Sequence, residues 1–289
     1  MAYFLHILIL INIYIIIAIS LNLIAGYTGI LSIAHAAFYG VGAYVAALLA
    51  VNYGTPFLLN VIAAMVVSGL VAALVAFPSL RIHDDYLVIA TFGFQMILFS
   101  IFNNWVSLTR GPLGIPGIPQ PNIFGWYVSS HAEFLALTSV LATMVYWLAR
   151  RLVESPFGRV LKAIREDEIF AQALGKNVTR YKILVFVIGG ALSAIAGALY
   201  AHYVTFIDPT SFTILESIFM ISIVIVGGAG SLLGSVVGAA VLIIIPEMLR
   251  FLGMPNAIAA NMRQIFYGAL LVIMMMFRPR GLVGEYELK

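Results

Sequence analysis

Apolar runs that recur along almost the whole chain constrain its fold more than any other feature. Many have the length of about 17 to 25 residues that an α-helix needs to cross roughly 30 Å of hydrocarbon. The alternating ten-residue pattern of a membrane β-barrel is missing. Of the 289 residues, 63% are hydrophobic and 9% charged, which excludes a soluble globular protein. The sequence therefore predicts an all-α, polytopic membrane protein with a single transmembrane domain, residues 1–289.

Nine membrane spans are predicted, and counts of eight or ten stay open because glycines interrupt two of the apolar stretches. In "AGYTGILSIAHAAFYGVGAY" and "IVIVGGAGSLLGSVVGAA", a helix breaks, re-enters the membrane or packs closely against a neighbour. The first span is interpreted as retained, since no basic region or small-residue cleavage site marks a signal peptide. The predicted spans are Tyr3–Ile24, Ile33–Val51, Phe57–Phe77, Tyr86–Trp105, Phe134–Leu148, Ile183–Val204, Phe212–Val226, Leu232–Leu249 and Met262–Phe277.

The placement of basic residues predicts the orientation in the membrane. Eight of the 15 Lys and Arg residues lie in the loop 150–182, which predicts that this loop faces the cytoplasm. Basic residues near the carboxyl terminus place that end in the cytoplasm as well, and an odd number of spans then puts the amino terminus outside. The Gly- and Pro-rich segment 106–133 becomes an irregular extracytoplasmic loop.

The loop 150–182 contains the signature of a short amphipathic helix near residues 166–175. Acidic residues favour a helix amino end, apolar residues at helical spacing form a stripe, and glycine favours the helix stop. So small a stripe suits either a groove on a partner protein or the lipid surface. The residues are Glu166, Asp167 and Glu168 at the start, Phe170, Ala173 and Leu174 in the stripe, and Gly175 at the stop.

Polar side chains inside the spans are the candidates for a translocation pathway, because lipid penalises them unless they face the bundle interior or a wet cavity. The alternative for His35 is hydrogen bonding between helices, and the alternative for Glu216 is an interfacial position. The candidates are Asn22, Ser32, His35, Gln95 and Glu216, with Thr91 and Ser222 as further polar positions.

Glycines in the two interrupted stretches are predicted to let helices pack closely. The pattern Gly26, Gly29, Leu31 recurs as Gly227, Gly230, Leu232, which indicates either a duplicated half, as in many transporters, or a chance similarity. The predicted packing residues are Gly26, Gly29, Gly227, Gly230, Gly234 and Gly238.

No catalytic or metal-binding residues are predicted. Cysteine is absent, the five histidines have no ligand spacing, and no serine elbow occurs. Without a phosphate-binding G-x-x-x-x-G-K-[ST] motif, any energy from nucleotide has to come from another polypeptide.

Five ordered strings resemble one family along nearly the whole chain: "GYTGILSIAHAAFYGVGAY", "SPFGRVLKAIREDEIFAQALG", "IDPTSF", "IVIVGGAGSLLGSVVGAA" and "FRPRGLVGE". Together they are similar to the inner-membrane permease subunit of branched-chain amino acid ATP-binding cassette (ABC) importers, and more to the M-type than to the H-type partner. The resemblance implies a heterodimer with a homologous permease, two cytoplasmic ATPase subunits that use ATP and Mg²⁺, and an extracytoplasmic binding protein. It also implies that residues 166–175 are the coupling helix that contacts the ATPase.

Two other functions stay open on the residues alone. An ion-gradient-driven transporter or channel is disfavoured by the scarcity of carboxylates in the spans. The other alternative is a membrane scaffold that transports nothing, and co-purification with ATPase subunits would separate these functions. Related permeases carry urea, short amides and sugars, so the resemblance leaves the substrate open. No side chain indicates nucleic-acid binding, and no cofactor is expected on this chain.

Overall fold

A computed structural model of the chain describes residues 2–79, 84–123, 125–250, 265, 268–274, 276–278 and 280–284. Helices dominate the described part, with four very short strands and two 3₁₀ turns, Gly111–Leu113 and Pro209–Phe212. In chain order the elements are α1 (Ala2–Thr28), α2 (His35–Tyr53), α3 (Phe57–Ser79), α4 (Asp84–Asn104), α5 (Val106–Thr109), β1 (Ile115–Pro116), β2 (Asn122–Ile123), β3 (Trp126–Tyr127), α6 (His131–Glu154), α7 (Pro156–Glu166), α8 (Glu168–Ala173), α9 (Val178–Val204), β4 (Phe206–Ile207), α10 (Ile214–Gly227) and α11 (Leu232–Arg250).

Six helices in the described part are long and apolar enough to cross a membrane: α1, α2, α3, α4, α6 and α9. Helices α10 and α11 count as a seventh span only if taken together, and their axes differ by 119°. The predicted polytopic all-α fold is confirmed, but the count of nine is not. The segments predicted as separate spans seven and eight form this bent pair, and six of the 16 residues of Met262–Phe277 lie outside the described residues.

Helices α1 and α9 form the centre of the bundle. Residues 15–28 of α1 are all buried, and this helix contacts α6, α9, α10 and α11. Helix α9 packs against α2 and α3 as well. Where α2 and α9 meet, a Cβ at Gly197 would overlap the backbone of Tyr39, so the close crossing depends on a missing side chain.

Helix α3 presents an apolar face to the outside of the bundle, as expected for a surface in contact with lipid. Its exposed large apolar side chains are Leu58, Leu59, Ile62, Val66, Val67, Leu70, Leu74 and Phe77.

The two long loops lie at opposite ends of α9. Segment 105–130 packs at the carboxyl end of α9. Its strand β1 pairs antiparallel with β4, which follows α9, and Ile118 N donates a 3.1 Å hydrogen bond to Thr205 O. Segment 155–177 precedes the amino end of α9. We call the end of the bundle that carries residues 155–177 the α8 end and the other the Pro-rich end. Helix α1 starts at the Pro-rich end, where His6 Nδ1 lies 2.6 Å from the hydroxyl of Tyr203.

Candidate functional site

Helix α8 lies within the segment where the sequence predicts a coupling helix. Asp167 is its N-cap, and the carboxylate accepts a 2.9 Å hydrogen bond from Phe170 N. Gly175, with a φ of +77°, follows the last turn. Glu166 differs from the prediction, because it ends α7 and does not start α8.

The exposed face of α8 is apolar. Phe170 is 60% exposed and Leu174 is 61% exposed, and Ala173 is exposed as well. Ile169 was not among the predicted residues of the stripe, but it is 79% exposed and enlarges this patch. Helical spacing alone could have included Ile169, since it precedes Ala173 by four residues.

Two sets of contacts hold α8 against the bundle. Ala171 is buried and packs in a small cluster with Ile164 of α7 and Val178 of α9. Glu168 forms an ion pair with Lys182 of α9, with Oε2 and Nζ 2.5 Å apart. The helix is therefore fixed on one face, and its apolar patch on the other face is exposed.

Arg165 connects α7 to the end of α1. Its Nη1 donates a 2.8 Å hydrogen bond to the carbonyl oxygen of Gly26, and its Nη2 lies 3.1 Å from Glu166 Oε1. A carbonyl in the last turn of a helix has no helical partner, and a cation there also matches the helix dipole. The sequence carried no signal for this contact.

Asn22, predicted as a pathway residue, forms hydrogen bonds with the residues at the break between α10 and α11. Its side-chain amide donates to Ser231 O and to Ser235 Oγ, both over 2.8 Å, and its Oδ1 accepts from Gly230 N over 2.9 Å. The residue is fully buried. All polar atoms of the amide therefore have partners inside the chain, and none of them faces a lumen.

Five of the six predicted packing glycines meet at this same break, and the sixth, Gly29, lies against Arg165. Gly26 lies against Gly230, since a Cβ on Gly26 would overlap Gly230 N. Gly227 lies against Gly234 and Gly238, so that the end of α10 and the start of α11 touch backbone to backbone. Gly29 and Gly230, which correspond in the two related sequence patterns, share a φ of +77°, whereas Gly228 has a φ of +120° and its counterpart Tyr27 lies within α1.

A turn near the carboxyl terminus packs on the break. Leu282 N donates to Val226 O and Val283 N donates to Gly227 O, each over 2.9 Å. The string "FRPRGLVGE" and the glycine-rich string of α10 are therefore neighbours in space. Both lie at the α8 end of the bundle.

Helices α2 and α10 both start inside the bundle. His35 Nε2 lies 2.7 Å from Ser20 Oγ. Ser20 lies eight residues before the end of α1, about 12 Å along the helix at 1.5 Å per residue. Ser217 Oγ, in the first turn of α10, accepts from Ala36 N over 3.0 Å. Two helix amino ends therefore meet inside the bundle.

Gln95 of α4 joins these two starting points. Its Oε1 accepts from Ala37 N, and its Nε2 donates to Phe212 O, both over 2.8 Å. Thr91, one turn earlier, accepts from Ile33 N over 3.2 Å. Ser32 is buried and accepts from Ala34 N. Ser222, the other polar position, donates to Ile218 O within α10.

Glu216 is the one pathway candidate that keeps part of its surface accessible. Its Oε1 accepts a 2.5 Å hydrogen bond from the hydroxyl of Tyr14 in α1, and the residue is half-buried. Asn22, Ser32, His35 and Gln95 are buried within the chain. The structure thus brings His35, Gln95 and Glu216 to the two helix starts and separates Asn22 from them.

Comparison with known proteins places the chain in a family. The family described as "Branched-chain amino acid transport system / permease component" matches residues 3–275. The permease protein LivM of Salmonella typhimurium is 35% identical over 294 residues, which cover 94% of this chain and 68% of the relative. LivM of Escherichia coli K12 is 35% identical over 298 residues, with the same coverage.

The second permease type is related at greater distance. LivH of Escherichia coli K12 is 27% identical over 299 residues, covering 96% of this chain and 92% of LivH. No solved structure matches the chain significantly. On the match over residues 3–275 and the identity to LivM, this chain belongs to the branched-chain amino acid transport system permease family.

Proposed function

We propose that this chain is a translocation subunit of an ABC importer that carries branched-chain amino acids into the cell. The observation that carries the proposal is the exposed apolar patch of α8, on a helix held rigidly by Lys182 and by the cluster around Ala171. A free patch on a fixed support suits docking into a groove of another protein. The residues assigned to coupling are Glu166, Asp167, Phe170, Ala173, Leu174 and Gly175.

The partner proposed for α8 is a cytoplasmic ATPase subunit. ATP and Mg²⁺ would be bound there, since this chain has no phosphate-binding loop. The proposed orientation follows the basic residues and places the α8 end, with the carboxyl terminus, in the cytoplasm. The Pro-rich end then faces an extracytoplasmic binding protein.

A homologous permease is the other proposed partner. The similarity to both LivM and LivH supports a pair of related subunits, whose names describe a high-affinity branched-chain amino acid transport system. Glu216 with Tyr14 is the proposed polar contact of the pathway, as it is half-buried next to the exposed Leu215 and Ile218. An aliphatic amino acid needs few polar contacts along an apolar path.

Reconstitution of the four kinds of subunit in liposomes tests this function. We expect uptake of radiolabelled leucine that requires ATP inside the vesicles and binding protein outside, with competition by isoleucine and valine. Competition by urea or acetamide and not by isoleucine would assign the chain to an amide permease. Uptake that follows an ion gradient without ATP would refute the ABC assignment.

A further inference from the structure

Asn22 and Gly26 lie one helical turn apart on the same face of α1, and both touch the break between α10 and α11. Asn22 binds three positions of the break through Gly230 N, Ser231 O and Ser235 Oγ. Gly26 packs so closely on Gly230 that a Cβ on Gly26 would overlap Gly230 N. The last two turns of α1 and the break therefore form one contact unit.

Gly26 also contacts α7, the helix that precedes α8. Its carbonyl oxygen accepts from Arg165 Nη1, and a Cβ on the neighbouring Gly29 would lie 3.1 Å from Arg165 Cγ. Arg165 lies in the last turn of α7, which only Asp167 separates from α8, and the Arg165 side chain is 11% exposed. A rigid-body movement of α7 and α8 would therefore act directly on the last turn of α1.

The break has the backbone geometry expected of a hinge. The axes of α10 and α11 differ by 119°, and the connecting residues Gly228 and Gly230 have φ values of +120° and +77°. Hinges absorb backbone rotation at a few residues between rigid elements. At the break the two helices contact each other through Gly227, Gly234 and Gly238, which leaves few side chains to interlock.

We propose that Arg165 and Asn22 are positioning residues that transmit movement of the α8 loop to the α10–α11 break. Arg165 ties the loop to Gly26, and Asn22 ties the same face of α1 to the break, 208 residues further along the chain. This inference rests on the proposed function, because it takes the docked ATPase as the source of the movement. The two residues act on the transport step through the backbone of α1 and do not contact substrate.

The test uses the reconstituted importer with Asn22→Ala and, separately, Arg165→Gln. We expect ATP hydrolysis to continue and the amount of leucine transported per ATP to fall at least several-fold in both variants. Arg165→Lys retains a cation that can donate to Gly26 O, so it should recover part of this ratio. Asn12→Ala is the matched control, because Asn12 on the same helix bonds to Thr138 and Ser139 of α6 and not to the break.

A second measurement reports on the break directly. Leu233 is exposed beside the break, so Leu233→Cys introduces the only thiol of this cysteine-free chain. In partner subunits without cysteine, we expect nucleotide to change the rate at which a maleimide modifies this thiol. Asn22→Ala and Arg165→Gln should abolish the nucleotide dependence, whereas Asn12→Ala should retain it.

Three outcomes would overturn the inference. The first is an unchanged amount of leucine transported per ATP in both variants, and the second is an equal fall of this ratio in Asn12→Ala. The third is a rate of maleimide modification at Leu233→Cys that does not change with nucleotide in the otherwise unaltered complex. If Asn22→Ala does not accumulate, Arg165→Gln decides the question, since its side chain is at the end of the bundle. Failure of the proposed function can be distinguished from these outcomes, because the unaltered chain would then neither bind an ATPase nor transport leucine with ATP.

Discussion

The carboxylate of Glu168 and the ammonium group of Lys182 lie 2.5 Å apart and join α8 to the first turns of α9. The Lys182 side chain is only 8% exposed and that of Glu168 is 37% exposed. A pair in such a position is screened less by solvent than a surface pair. It fixes the direction in which α8 presents Phe170 and Leu174.

Lys182→Met should loosen α8, because it leaves the Glu168 carboxylate without its cation while the alkyl packing is kept. We expect weaker co-purification of the ATPase subunits and lower leucine uptake. Arg150→Met is the control, since Arg150 and Glu154 form an exposed pair that solvent screens strongly and that contributes little to stability. Equal effects of the two substitutions would show that the Lys182 pair has no special role.

Gln172→Cys should react with a membrane-impermeant maleimide only from the cytoplasmic side, because basic residues dominate its loop. Ser129→Cys at the Pro-rich end should react only from outside. Both residues are exposed, and the chain has no other cysteine. Labelling of whole cells and of inverted vesicles measures this difference. The reverse pattern would invert the proposed orientation.

The combination Phe170→Asp and Leu174→Asp should release the ATPase subunits while the permease still inserts. Full burial of each side chain in a groove contributes about 1.5 to 3 kcal/mol, and an unpaired carboxylate in that groove adds a desolvation cost. Pull-down from detergent extracts measures the loss. Gln172→Asp on the same helix is the control and should bind normally. Retained binding in the double variant would favour a helix at the lipid surface.

Glu216→Gln should reduce leucine uptake several-fold without disturbing assembly with the partner permease. Glutamine can still accept the hydrogen bond from Tyr14 but carries no charge, so the substitution isolates the carboxylate. Initial uptake rates at several leucine concentrations, with co-purification as the assembly check, measure the effect. Wild-type rates would assign Glu216 a purely structural role with Tyr14.

Local patterns in the sequence predicted most helices and the α8 segment. Six apolar runs correspond to six long helices, and the acidic cluster before Phe170 gave a helix capped by Asp167. The apolar run of Phe212–Val226 was misread as a full span, because hydropathy does not reveal that α10 starts inside the bundle and bends by 119° into α11. The partners of Asn22 could not be predicted either. Its contacts with Gly230 and Ser235 depend on how α1 packs on the break, which no local pattern encodes.

Gly26→Ala should destabilise the permease, because a Cβ at this position would overlap Asn22 Oδ1 and Gly230 N. Backbone atoms of the break cannot move away easily, so we expect a loss of stability of about 1 to 3 kcal/mol, as for other overpacked sites.

Gly93→Ala is the matched control. It lies in the middle of α4, and a Cβ there meets no atom within 4 Å. This control should stabilise the helix by roughly 0.5 to 1 kcal/mol, because alanine favours the helical state more than glycine. Thermal unfolding followed by size-exclusion chromatography compares the midpoints of the two variants with that of the unaltered chain. A Gly26→Ala midpoint equal to that of Gly93→Ala would contradict the close contact between α1 and the break.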